Sequence, residues 1–140
     1  MEVKFKKLNT SARLPEYAHD NDAGADLFCL TDITLQPRER QTIQLGLAAE
    51  FPAEYVALFH DKSGLASKRG LTCLAGVIDA SYRGEWAVVM YNTSEEMQEL
   101  KAGDKIAQVI FQKIEHPQFV ENLVLTDTSR ADGGFGSTGK

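Results

Sequence analysis

Cysteine is scarce in this chain: Cys29 and Cys73 are its only two thiols in 140 residues, with no C-x-x-C or zinc-like spacing. Nothing points to a disulfide framework, and a reducing cytoplasm is the expected home. The three histidines, His19, His60 and His116, are scattered without an H-x-x-H or H-E-x-x-H pattern, so a histidine metal centre is not expected. No apolar run approaches the roughly 20 residues of a membrane span. The opening Met1–Lys6 stretch has no signal-peptide hydrophobic core. Positive charge is also in deficit, with 15 Lys and Arg against 20 Asp and Glu and a net charge of −5. That argues against a nucleic-acid polymer or an anionic membrane as partner, while a small anionic ligand remains open because local charge decides its binding.

Helical periodicity is nearly missing too. Ile43, Leu45 and Leu47 alternate with Thr42, Gln44 and Gly46, the pattern of a half-buried strand. Tyr55–His60 and Trp86–Tyr91 are short, β-rich and bounded by turn or charged residues. Ile106–Phe111 is apolar on both faces, as in a strand inside a sandwich or an interface. Val3–Leu8, Ala25–Leu30 and Leu123–Leu125 are expected as shorter strands, and Ser94–Lys101 as strand and turn. The fold class that follows is all-β, a jelly-roll-like sandwich or barrel of short strands. At most one short helix is expected, near residues 64–69, where Ser63 offers an N-cap, Lys68 and Arg69 a basic last turn, and Gly70 a C-terminal stop. Such a helix would aim free amides at whatever lies beside Lys62 (a phosphate site), although capped helices without a ligand are as common. Residues 1–128 form one β domain, and residues 129–140 are set apart as a flexible glycine-rich tail.

That tail holds four of the eleven glycines between Gly133 and Gly139, together with Arg130, Phe135, Ser137 and Thr138. A ring to stack on a base, a guanidinium and hydroxyls for phosphate, and bare amides are the parts of a nucleotide lid; an ordinary frayed terminus is the plain alternative. Gly134–Lys140 also spells G-x-x-x-x-G-K, but a phosphate-binding loop needs a helix and a Ser or Thr after the lysine, and here Lys140 is last. An ATPase loop is therefore rejected.

Four internal segments carry further chemistry. Ala23–Leu27 places Asp26 just inside a strand after a glycine turn, where it could hold a metal through water or cap the turn. Asp61-Lys62-Ser63-Gly64 is the helix start. In Gly76–Gly84, Asp79 follows apolar Val77 and Ile78; an acid at such an edge is partly desolvated, which suits a general base. Gly103–Gln108 is a polar turn entering a strand that carries Gln108.

In this order the five segments resemble the trimeric all-β dUTP pyrophosphatases (dUTPases), whose motifs run A-G-x-D-L, R-S-G, G-x-I-D-x-x-Y-R-G, G-D-R-I-A-Q and R-G-x-G-G-F-G-S-T-G. The matching stretches are Ala23–Leu27, Lys62–Gly64, Gly76–Gly84, Gly103–Gln108 and Arg130–Gly139. The resemblance implies hydrolysis of dUTP to dUMP and pyrophosphate, with Asp79 as the base that activates water against the α-phosphate. It implies Mg²⁺ held by Asp26 through water, and phosphate contacts from Lys62, Ser63, Gly64, Gln108, Arg130, Gly136, Ser137 and Thr138. Uracil and deoxyribose would fall to a hairpin from Cys73 to Asp79 that includes Gly76, Val77 and Ile78, with Tyr82 under the sugar and Phe135 stacked on the base. A homotrimer with sites shared between subunits is implied as well.

Departures from the motifs are Lys62 and Lys105 for Arg, Ala131 for Gly, Asp61 where many relatives have Pro, and Cys73 where many have Asn. A lysine supplies a point charge where a guanidinium would supply a two-pronged fork. None of these removes Asp79, Asp26, Tyr82 or Phe135. A dCTP deaminase of the same fold would carry a catalytic Glu where this chain has Val89, which disfavours deamination. A dUTP-responsive regulatory protein working through lid closure is the other alternative, and no distinct insert marks a surface for it.

Overall fold

The computed structural model describes residues 1–134, and the expectations for Phe135, Gly136, Ser137 and Thr138 lie outside them. Eleven strands and one helix follow in the order β1 (Lys4–Lys7), β2 (Ala25–Phe28), β3 (Ile33–Leu35), β4 (Arg40–Gln44), β5 (Leu47–Glu50), β6 (Tyr55–His60), α1 (Ser63–Arg69), β7 (Leu71–Leu74), β8 (Val77–Ile78), β9 (Ala87–Asn92), β10 (Gln98–Leu100) and β11 (Lys105–Lys113). They pair, antiparallel throughout, as β2-β11-β6-β8, β4-β9-β7, β1-β5 and β10-β3. The all-β expectation with a single short helix holds.

Trp86 is the hub of the core. It is fully buried, and Phe5 and Phe59 meet its ring edge-on at centroid distances of 5.2 and 5.3 Å. Leu27, Leu35, Ile43, Leu45, Leu71, Val88, Met90, Ile106 and Val109 fill the rest. The doubly apolar stretch at Ile106–Phe111 is the middle of β11, which lies between β2 and β6. One face of this strand, with Ile106, Ala107 and Val109, is buried in the core, while Gln108 and Ile110 look onto an open cleft.

Three local expectations change. Ile43, Leu45 and Leu47 are all buried as the alternation requires, but they do not share one strand. Gly46 takes φ +68°, ends the pairing of β4 with β9, and lets β5 turn to β1. Only glycine adopts that conformation cheaply, and an added Cβ would also stand 3.0 Å from the Ala12 methyl. At the helix, Lys62 rather than Ser63 is the N-cap, its backbone extended and with no side-chain cap; Ser63 is already the first helical residue. Gly70 does close the helix in the left-handed conformation, donating to the carbonyls of Ala66 and Leu65. Leu123–Leu125 forms no strand. Ile114 N still donates to the Glu54 carbonyl at 2.9 Å, but beyond it the described residues form no further strand, and Phe119, Val120, Leu123, Val124 and Leu125 are exposed, Leu123 at 96%. A strand needs an edge to pair with, and within one chain this segment finds none.

Candidate active site

The middle of β11 gathers three of the sequence motifs. Gln108 stands opposite Asp26 on one side and His60 on the other, so the residues after His60 arrive beside Asp26. Gln108 Nε2 donates to the Asp61 carbonyl at 2.8 Å, and its side chain lies directly over Gly24, where a Cβ would come within 2.3 Å of Oε1. Gly24 is thus the gap through which Gln108 passes. Ser63, Gln108, Asp61 and Cys73 line one open cleft of about 670 Å³. Lys62, Ser63, Gly64, Gln108 and Asp26 are brought together as the sequence reading requires.

Asp26 is the buried charge of this cluster, only 2% exposed. Burial alone would raise its pKa, but Lys105 and Lys62 outweigh it and hold the carboxyl below the ordinary value. Lys62 Nζ bonds to Oδ1, and Lys105 Nζ lies 2.7 Å from Oδ2 without the direction of a hydrogen bond. Lys105 carried no assigned role in the sequence; it pairs with Phe28 beside a register shift, and only the folded chain brings its ammonium to Asp26. No group of three or more His, Cys, Asp or Glu side chains is placed to cage a metal among the described residues. One carboxylate, without a second acid beside it among these residues, suits a cation that keeps its waters and takes the remaining ligands from phosphate. On that chemistry the residues fit Mg²⁺ held through water.

The other half of the motif set lies elsewhere. The stretch expected as a hairpin from Cys73 to Asp79 is one run that changes sheets: β7 pairs with β9, and β8 pairs with β6. The change comes at Ala75 and Gly76, with φ of +60° and +101°, and Phe59 N donates to the Gly76 carbonyl at 2.9 Å. Cys73 sits at the Asp61 end of this run. Asp79 sits at the other end, exposed, sharing a smaller cleft of about 230 Å³ with Tyr55, Val56 and His116. The apolar neighbours that were expected to desolvate Asp79 do not cover it within one chain; Val77 itself is 66% exposed. From the pairing of Ile78 with Ala57, Asp79 falls opposite Val56, five residues before Asp61 on β6. At about 3.3 Å per residue that is about 16 Å along the strand.

Backbone groups hold the turn after Asp79. Tyr82 N donates to the Asp79 carbonyl at 3.0 Å, and Arg83 Nη1 donates to the carbonyls of Ala80 and Tyr82 at 2.6 and 3.1 Å. Tyr82 Oη donates to the Glu85 carbonyl at 3.0 Å, so the ring lies across Gly84. A Cβ on Gly84 would stand 2.3 Å from that hydroxyl and 2.4 Å from Cζ, so Gly84→Ala must push the ring aside. The displaced atoms are the far end of a mobile side chain, so the fold should survive with its melting temperature little changed. If Tyr82 gates the sugar, Gly84→Ala lowers the preference for dUTP over UTP by about tenfold; an unchanged ratio of kcat/KM values would remove Tyr82 from that role. Arg130, near the end of the described residues, donates Nε to the Gly133 carbonyl at 2.7 Å and bonds to none of the other site residues among those described.

Cys73 behaves as a half-buried neutral thiol. Burial first, and then the Asp61 carboxylate beside it, push its pKa up to about 12. A folded-state pKa above the ordinary thiol value of 9.0 means that the unfolded chain sheds the proton first. The stabilisation is therefore complete below pH 9 and is lost as pH climbs through 9 to 12. At pH 8, labelling of Cys73 by iodoacetamide should run at least about tenfold slower in the native protein than in urea. Equal rates would contradict this environment.

A family model described as dUTPase matches residues 10–139. A deoxyuridine 5'-triphosphate nucleotidohydrolase of Thermobifida fusca (strain YX) is 45% identical over 140 residues, covering 98% of this chain and 78% of the relative. One from Nautilia profundicola is 42% identical and covers 100% of both chains. Among solved structures, the Staphylococcus bacteriophage 80alpha dUTPase with dUPNHPP superposes with a TM-score of 0.94 at 28% identity, covering 99% of each chain. A variant dUTPase from phage phi11 of S. aureus, described with a structural Mg(II) ion, superposes with a TM-score of 0.85 at 25% identity over 91% of this chain and 100% of that one. Motif order, strand topology and full-length similarity agree, and the chain belongs to the dUTPase family.

Proposed function

We propose that this protein hydrolyses dUTP to dUMP and pyrophosphate, supplying dUMP and keeping dUTP away from DNA synthesis. The observation that carries the reading is the meeting of three separate parts of the sequence: Ser63 and Gln108 line one cleft, Gln108 pairs with Asp26, and Lys62, beside Ser63, bonds to Asp26. Two lysines, a hydroxyl and an amide around one buried carboxylate form an anion-binding surface with a single place for a cation. Bound there through water on Asp26, Mg²⁺ would neutralise triphosphate charge. Lys62 and Lys105 would exchange part of their contact with Asp26 for phosphate oxygens, and Ser63, Gly64 and Gln108 would orient the chain of phosphates. Asp79 would take the proton from the water that attacks the α-phosphate. Uracil would lie along Cys73–Ile78, including Gly76 and Val77, and deoxyribose against Tyr82. From the tail, Arg130, Gly136, Ser137 and Thr138 would close on phosphate and Phe135 on the base, so that residues 129–140 act as the lid.

The separation of about 16 Å along β6 between Asp79 and the Asp61–Lys62 loop is longer than one nucleotide's phosphate chain. A complete site therefore joins Asp79 of one copy to Lys62 and Ser63 of another. This supports the homotrimer that the resemblance implies, and the exposed apolar residues from Phe119 to Leu125 supply surface for it. Two free thiols are in keeping with a cytoplasmic setting.

The test is pyrophosphate release from dUTP, dTTP, dCTP and UTP, each with Mg²⁺ and with EDTA. Fast, magnesium-dependent release from dUTP alone is expected. Silence on all four would overturn the proposal, and ammonia release from dCTP would move the reading to a deaminase.

A further inference from the structure

Asp61 stands outside every role assigned so far, yet it makes more site contacts than its neighbours. Its carboxylate accepts from the Cys73 amide at 2.5 Å through Oδ1 and from Thr72 Oγ1 at 2.8 Å through Oδ2. Its carbonyl accepts from Gln108 Nε2 at 2.8 Å. One residue therefore ties together the end of β6, the strand β7 and the Gln108 side chain, immediately before Lys62 and Ser63.

The two sides of this tie are not equally held without it. β7 is fixed by four residue pairs with β9 and keeps its place on its own. The two residues between β6 and α1, Asp61 and Lys62, have no ladder: the Lys62 carbonyl accepts only from Leu65 N and Ala66 N of the short helix, whose first residues Ser63 and Gly64 are exposed, and Lys62 bonds to Asp26 through a flexible side chain. A charged acceptor shared by an amide and a hydroxyl is a strong anchor, because each bond to an ionised group outweighs a neutral one. We propose that Asp61 is a positioning residue for the phosphate subsite, fixing the backbone from which Lys62, Ser63 and Gly64 project and the orientation of Gln108. The inference rests on dUTP being the substrate, and it assigns Asp61 no contact with the substrate itself.

The anchor needs one hydrogen-bonding atom for the Cys73 amide and one for the Thr72 hydroxyl, and the carboxylate charge strengthens both bonds without being required to form them. Asn at this position keeps Oδ1 for the Cys73 amide, and its Nδ2 can donate to Thr72 Oγ1 once that hydroxyl turns. Alanine keeps neither. The experiment compares the full-length protein with Asp61→Ala, Asp61→Asn and Thr72→Val. It reads kcat and KM for dUTP, inhibition by pyrophosphate and by dUMP, and the melting temperature. In Asp61→Ala, KM and the pyrophosphate inhibition constant should rise about tenfold while kcat and dUMP inhibition change less than about threefold. Asp61→Asn should restore pyrophosphate inhibition to within about threefold of the unsubstituted protein, and Thr72→Val should fall between the two. Unchanged pyrophosphate inhibition in Asp61→Ala overturns the proposal, as does equal weakening of pyrophosphate and dUMP, which would mark a general structural role. Should Asp61→Ala fail to fold, Thr72→Val with pyrophosphate inhibition equal to the unsubstituted protein overturns it. Loss of the underlying reading looks different: the unsubstituted protein would then release no pyrophosphate from dUTP, and both proposals would fall together.

Discussion

Asp79→Asn should lower pyrophosphate release from dUTP by about 10²–10⁴-fold, the range expected when a positioned base is removed. Binding of dUTP should change little, because the amide keeps the shape of the carboxylate and loses only its ability to accept a proton. The fold should tolerate the change. The Asp79 backbone is held by Tyr82 N, the turn behind it by Arg83, and the carboxylate forms no hydrogen bond among the described residues. Single-turnover rates and equilibrium binding, measured on the same preparation, separate the outcomes. A variant with near-normal kcat would show that another group activates the water. Loss of binding and turnover together would mean that Asp79 holds substrate rather than a proton. Its exposure in the single chain adds a condition: desolvation of the base has to come from bound substrate and a neighbouring copy, so dilution below the assembly's dissociation constant should cost activity as well.

Ending the chain at Thr128 should cost the next largest share of activity, about a hundredfold in kcat, if residues 129–140 close over the triphosphate. The described part of the segment holds mainly to itself: Ala131 N donates to the Thr128 carbonyl at 3.1 Å, Gly133 N to the Arg130 carbonyl at 2.9 Å, and Arg130 Nε back to Gly133. Removing it should leave the melting temperature and the oligomeric state unaltered, since the apolar stretch from Phe119 to Leu125 remains. Phe135→Ala alone should reproduce much of the loss in kcat. Full activity in the truncated chain would reduce the segment to an ordinary terminus.

Much of the site was legible before any strand was paired, because its chemistry is local. Asp26, Lys62, Ser63, Asp79, Tyr82 and Gln108 each sit in a short run whose glycines and turn residues announce a loop beside a strand. What was not legible depended on long-range neighbours. Nothing in the run Asp61–Gly64 says that Thr72 and Cys73 will reach Asp61, and nothing near Lys105 says that it faces Asp26. Gly46 looked like one more polar-side residue in an alternating strand, whereas its positive φ redirects the chain to another sheet. Leu123–Leu125 looked like a strand because its residues favour one, but propensity cannot supply a partner edge.

The sequence by itself determined the fold class and the family and named candidate site residues, since alternation, turn chemistry and motif spacing are properties of residues near one another along the chain. The tertiary structure decided which of those groups meet. Pairing between strands remote in sequence put Asp26 beside Gln108 and the Lys62 loop, and the same pairing placed Asp79 at the far end of β6. Strand order and register are set by long-range burial and backbone hydrogen bonding, which no local window encodes.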